Sequence, residues 1–321
     1  MKTKSTRSDE QIAVRVSVIT IIGNLFLALF KLIAALVGHS AALLSDAVHS
    51  LSDSVSTVIV IIGVKMAGKE SDPEHPYGHE RFECVVAIIL AIMLAATGLG
   101  IGYAGLKNII AGDYENLKVP GTIALVAAGI SILSKEAMYW YTRAAAVKIK
   151  SGALMADAWH HRSDSLSSIG SFFGIFGARM GYPILDSVAC LVISAFIIKV
   201  AYDIFIDGIE KMVDKACDDK VNAKIYEFIC AQEGVFGVDL LRTRMFGNRI
   251  YVDVEICVDR SLSLCDAHDI AHQVHDAMEE SFSEIKHCMV HVNPAEEDAV
   301  AKKDIYSTMP RFRVKRKYLG R

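Results

Sequence analysis

Apolar residues run in six long blocks at 12–37, 41–66, 84–110, 119–141, 153–178 and 183–207, and beyond residue 207 they shorten and alternate with charges. Each block approaches the ~20 residues that a helix needs to cross a ~30 Å hydrocarbon core. The pattern therefore predicts an α-helical membrane protein with six transmembrane helices, followed by a polar domain. In that domain Val221, Ile225, Phe228 and Ile229 recur at helical spacing, predicting a helix over 220–232. Residues 236–246 and 249–258 alternate about Gly247-Asn248 as a hairpin, 265–282 reads as a second helix, and 286–292 as a third strand. An α-β-β-α-β order packs its helices on a small sheet, so the expected domain is α+β. The predicted division is a short N-terminal segment at 1–11, a membrane domain at 12–207, the α+β domain at 208–295 and a flexible tail at 296–321.

Composition adds a constraint. The 321 residues are 52% hydrophobic and 22% charged, with mean hydropathy +0.34, so the charge must be segregated from the apolar blocks. Lys2, Lys4 and Arg7 precede the first block, Lys65, Lys69 and Arg81 follow the second, and Arg143, Lys148 and Lys150 follow the fourth. Positive charge marks cytoplasmic loops. The alternate connections are short (Gly38 to Ser40, Met180 to Pro183) or of mixed sign (Asp113, Glu115, Lys118), which puts both termini of a multi-pass cell-membrane protein in the cytoplasm. The first block is too long for a signal peptide and carries Asn24 and Lys31. Seven cysteines without a C-x-x-C pair argue against a disulfide framework or thiolate zinc finger. Net charge −3 gives no footprint for nucleic acid. The basic run at Arg311, Arg313 and Lys315 to Lys317 reads as a solvated end, with membrane lipid as the alternative contact.

Two of the apolar blocks contain nearly the same polar phrase, DAVHSLSD at Asp46–Asp53 and DAWHHRSD at Asp157–Asp164. In each, His and Asp stand four apart, His49 with Asp53 and His160 with Asp164, and so share one helix face. Ionisable groups at membrane depth are costly and point to function. A lone His in a span is ordinarily a packing group hydrogen-bonded to a neighbouring helix; two matched pairs make a shared metal the better account. Two imidazoles and two carboxylates suit zinc, with iron(II), cobalt, nickel and cadmium behind, whereas manganese favours oxygen ligands throughout. Asp46 and Asp157, one turn before each His, are expected to support the ligands rather than bind directly. The loop DPEHPYGHERFE adds Asp72, His75 and His79 on a bent path, a second metal position or the mouth of a pathway, unless it is a plain polar connector. Asn24, Lys31, Lys135 and Glu136 are expected to snorkel or pair between helices. Gly98, Gly100, Gly102 and Gly105 are expected to allow close helix contact. Cys257 and Cys265 read as core residues.

The doubled phrase, the HPYGH loop and the trailing α-β-β-α-β domain together resemble the cation diffusion facilitator family, proton-coupled exporters of zinc and related dications, over nearly the whole chain. The resemblance implies a transport site at His49, Asp53, His160 and Asp164 and a loop site at Asp72, His75 and His79. It also implies a metallochaperone-like cytoplasmic domain that dimerises and senses metal, making the protein a homodimer. Where bacterial members carry His and Asp for a regulatory two-metal site, this chain has Asp239, Glu255 and Asn293, together with His268 and His291. The loop between the fourth and fifth blocks is short and lacks a histidine-rich insertion, which is closer to a prokaryotic exporter.

Imidazole must be deprotonated to bind metal, so metal and protons compete for one site. That is the thermodynamic basis of antiport. The resulting expectation is a secondary transporter rather than an enzyme, with divalent metal and protons as its partners, Zn2+ as transported substrate and possible regulator, and no organic cofactor. The alternative is export of Fe2+, Co2+, Ni2+, Cd2+ or Mn2+ by the same fold, with a metal-gated channel or a membrane metalloenzyme behind it. HERFE is not the HExxH of a metalloprotease, and no substrate pocket is legible.

Overall fold

Helices α1 (Lys4–Val37), α2 (Ala41–Ala67), α3 (Phe82–Ala111), α4 (Thr122–Ile149), α5 (Gly152–Arg179) and α6 (Ile184–Met212) come first in the chain. The computed structural model describes residues 4–37, 41–111, 122–179 and 184–295, and it divides into two units, one ending at Val213 and one starting at Asp214. Helix α6 continues to Met212, past residue 207, where the apolar run stops.

At ~1.5 Å per residue each of the six helices exceeds the thickness of a hydrocarbon core. Among the described residues, however, two of them, Ser8–Ala34 and Phe82–Ile110, are both long and apolar enough to cross a membrane by composition. The others carry polar or charged residues within the helix, including Asp53, Lys135, Asp157 and Asp164. Those four residues are buried within the first unit.

Lys150, at φ 54°, makes the turn between α4 and α5, and the Ser151 hydroxyl accepts a hydrogen bond from the Leu154 amide at 3.2 Å. So short a connection makes the two helices neighbours in a hairpin. Helix α3 packs on α6 along a glycine-lined seam. A methyl group at Gly105 would stand 2.9 Å from Cys190 Cβ and 3.0 Å from the Ser187 carbonyl, and one at Gly98 would stand 3.0 Å from Ile197. Ser194 donates to the Gly98 carbonyl at 2.7 Å. Gly98, Gly102 and Gly105 thus serve close approach, whereas a methyl at Gly100 would meet no atom within 4 Å among the described residues, which puts it off the seam.

The second unit contains α7 (Asp219–Cys230), β1 (Gly237–Phe246), β2 (Arg249–Val258), α8 (Leu264–Ser281) and β3 (Ile285–Pro294). β2 is central, antiparallel to β1 and parallel to β3. Phe246 pairs with Arg249 across a two-residue turn whose first residue, Gly247, takes φ +64°, a conformation glycine adopts without steric cost. Val252, Val254 and Ile256 alternate inward from β2 and meet Ile225 and Ile229 of α7, Val274 and Met278 of α8 and Cys288 of β3 in one buried core. The other face of β2 bears Glu255 and Cys257. Cys288 belongs to this core, and burial pushes its thiol up to about 12, while Cys265 is exposed at the start of α8 rather than in the core.

Candidate metal centre

Asp53 on α2 meets His160 and Asp164 on α5, with one ligand atom from each lying within 4.8 Å of the others. The three side chains are 3–8% exposed. His160 Nε2 is 3.8 Å from Asp53 Oδ1. The hydrophobic runs that form α2 and α5 bury these groups because the i, i+4 spacing of His160 and Asp164 puts both on one face. Asp46 and His49 lie on α2, and their side chains fall outside the described residues.

A fourth group occupies the middle of this cluster. Lys135 of α4, 2% exposed, sends its ammonium to Asp53 Oδ2 at 2.6 Å and to Asp164 Oδ2 at 3.0 Å. Two buried carboxylates held this close repel each other unless a cation stands between them. The ammonium supplies one positive charge there, and a dication coordinated by the same oxygens would supply two. Lys135 does pair between helices, as expected, but it pairs inside the candidate metal site. The chain did carry a signal for this: Lys135 stands fifteen residues before the turn at Lys150 and Asp164 fourteen after it, which places them opposite each other in the hairpin.

The remaining polar residues of the first unit sort by contact. Asp157 is fully buried, accepts from Thr57 of α2 at 3.1 Å, and has Oδ2 3.7 Å from Nε2 of the equally buried His161. It ties α5 to α2 beside the cluster instead of joining it. His161 directly follows His160 in the chain and turns to Asp157. Lys31 donates to Ser50 at 2.8 Å, and Glu136 lies 3.7 Å from Arg162, whose guanidinium sits 4.4 Å over the Tyr139 ring. These are interhelical contacts of the expected kind.

In the loop between α2 and α3, Asp72, His75 and His79 also converge within 4.8 Å. Asp72 lies 3.3 Å from His75 Nδ1 and 3.4 Å from His79 Nε2, and His79 is buried while His75 is exposed. Gly78, at φ +98°, allows the chain to turn back so that the two rings approach to 4.5 Å. Lys69 donates to Asp72 Oδ2 at 2.6 Å, and this bond, with the His75 backbone amide, holds the carboxyl well below the usual carboxylate range. Both clusters therefore pair a lysine ammonium with a carboxylate that a metal would use.

The set expected in the second unit is only partly assembled. Asn293 donates to Asp239 at 3.0 Å and to Glu255 at 3.2 Å, and His291 pairs in register with Glu255 on the adjacent strand. His268 is on α8, its ring 6.0 Å from that of His272, and Asp239, Glu255, His268 and His291 do not converge on one point among the described residues.

The buried carboxylate and imidazole cluster of the helical domain is a ligand set that could hold a metal ion. Comparison with known proteins agrees. Residues 17–213 match the cation efflux transmembrane domain, and residues 217–295 match the cytoplasmic domain of cation efflux proteins. The chain belongs to the cation diffusion facilitator family, whose members are divalent metal cation transporters and not enzymes. It is 35% identical over 276 residues to an uncharacterized transporter of Methanocaldococcus jannaschii, covering 86% of this chain and 96% of that one. It is 35% identical over 276 residues to metal tolerance protein C1 of Arabidopsis thaliana (81% of this chain, 59% of that one). With the manganese efflux system protein MneP of Bacillus subtilis the identity is 29% over 292 residues, covering 89% and 97%.

Proposed function

We propose that this chain exports divalent metal from the cytoplasm in exchange for protons, with zinc as the leading substrate. It would cross the membrane six times within 12–207 with both termini in the cytoplasm, and pair with a second copy through the domain at 208–295. The observation that carries this reading is the buried meeting of Asp53 with His160 and Asp164 across α2 and α5.

His49 completes the proposed ligand set from the doubled phrase, giving two imidazoles and two carboxylates. Imidazole binds metal only when deprotonated, so proton entry and metal entry exclude one another. Lys135 adds a resident cation that holds the two carboxylates when metal is elsewhere. Rocking of α2 and α5 between inward-open and outward-open arrangements then carries metal one way and protons the other. Asp72, His75 and His79 would capture the ion at the cytoplasmic entrance.

Manganese is the second reading, favoured by the names of two Bacillus subtilis relatives, the manganese efflux system proteins MneP and MneS. Imidazole ligands favour zinc over manganese. Uptake into inverted vesicles under an imposed pH gradient separates these readings when zinc, manganese, iron(II) and cadmium are compared for the parent, Asp53→Ala and His160→Ala. Both variants should lose transport. Undiminished transport by Asp53→Ala would remove the site, and indifference to the pH gradient would leave a gated channel.

A further inference from the structure

The second unit holds a metal-ligand cluster that neither the transport chemistry nor the Asp239 and Glu255 group uses. His275 and Glu279 stand four apart on α8 and so share a face, and β3 begins at Ile285, close after α8 ends at Ser281, so that it brings His287 back beside them. Glu279 Oε1 lies 3.3 Å from His275 Nε2 and 3.2 Å from His287 Nδ1. All three ligand atoms fall within 4.8 Å of one another.

The backbone of Cys288 organises the cluster. Its carbonyl is 2.6 Å from His275 Nδ1, and its amide donates to Glu279 Oε1 at 3.2 Å. A carbonyl only accepts, so His275 Nδ1 carries hydrogen, and a neutral ring then presents its lone pair at Nε2, toward Glu279 and His287. Imidazoles that bind metal are commonly held in this way, with the far nitrogen donating to a carbonyl or carboxylate. Without an ion, a proton on Nε2 would bridge the ring to the carboxylate, and a dication would take that proton's place with a bond to each. The two rings are 5.4 Å apart and inclined at 73°, so their nitrogens approach the carboxylate from different directions instead of stacking. The side chains are 31–44% exposed, which leaves an open side for water as a fourth ligand.

We infer that His275, Glu279 and His287 form a separate metal site, taking zinc or another dication that accepts nitrogen and oxygen ligands. It fastens α8 to β3. Because it lies wholly within the second unit, the inference stands whether or not the transport reading is correct.

The test uses the full-length protein, stripped of metal in detergent and titrated with Zn2+ alone, counting tightly bound ions per chain. His287→Gln should remove one equivalent or weaken it at least tenfold. Glu279→Gln should do the same while keeping a side-chain oxygen to accept from the Cys288 amide, so it reads the ligand role apart from folding. Resistance of Cys288 to maleimide, expected from its burial, checks that β3 is in place in each variant. Asp53→Asn should remove a different equivalent, and combining it with Glu279→Gln should remove both. Unchanged stoichiometry, with Kd within twofold of the parent in both single variants, would overturn the site.

Discussion

Lys135 Nζ lies 2.6 Å from Asp53 Oδ2, joining α4 to α2 at the point where α5 contributes Asp164 to the same ammonium at 3.0 Å. Removing one partner of a buried ion pair costs about 3–5 kcal/mol because the other charge is left uncompensated. Lys135→Gln should therefore lower the thermal midpoint of metal-free protein, and zinc should restore it by more than it stabilises the parent. Zinc affinity at the Asp53 cluster should rise, since no ammonium competes for the two Oδ2 atoms. Titration calorimetry with paired thermal melts measures both, and an unchanged affinity would show that lysine and metal do not share a position.

Selectivity should follow donor chemistry at the first copy of the doubled phrase. His49→Asp exchanges an imidazole for a carboxylate and should shift preference from zinc toward manganese, on the order of tenfold in competition uptake, with transport retained. Unchanged selectivity would count against His49 as a ligand.

In the loop, Lys69 competes for Asp72 as Lys135 does for Asp53, and Lys69→Met should strengthen metal capture there while Asp72→Asn abolishes it. The Asp72 carboxyl is held below its ordinary value, so the Lys69 contact is fully present above the ordinary carboxylate range and is lost only as pH falls through the lowered value. Acidification from pH 7 to 4 therefore leaves Asp72 ionised. Metal-binding titrations at stepped pH, comparing the parent with Lys69→Met and Asp72→Asn, check that the Asp72 carboxylate stays available over that interval.

The α3–α6 seam separates glycines that a sequence pattern treats alike. Gly105→Ala inserts a methyl 2.9 Å from Cys190 Cβ and 3.0 Å from the Ser187 carbonyl, and should cost about 1–3 kcal/mol. Gly100→Ala meets open space and should be neutral or stabilising by up to ~1 kcal/mol through helix propensity. Thermal unfolding in detergent distinguishes the two.

The hydrophobic pattern determined much of this protein. Period-2 alternation in β2 and the Gly247-Asn248 turn were legible to the residue, because they are local consequences of backbone geometry. The i, i+4 pair His160 and Asp164 was equally legible, since a helix alone puts both on one face. Tertiary structure decided what crosses between elements. It placed Lys135 between two aspartates rather than at an interface with lipid, assigned Asp157 to Thr57 rather than to the ligand cluster, and set Gly100 off a seam that Gly98, Gly102 and Gly105 share. It also drew His275, Glu279 and His287 together while leaving His268 apart from Asp239. Spacing along one helix specifies a face, but the partner of that face depends on turn length, register and packing of distant segments, and those are properties of the folded chain.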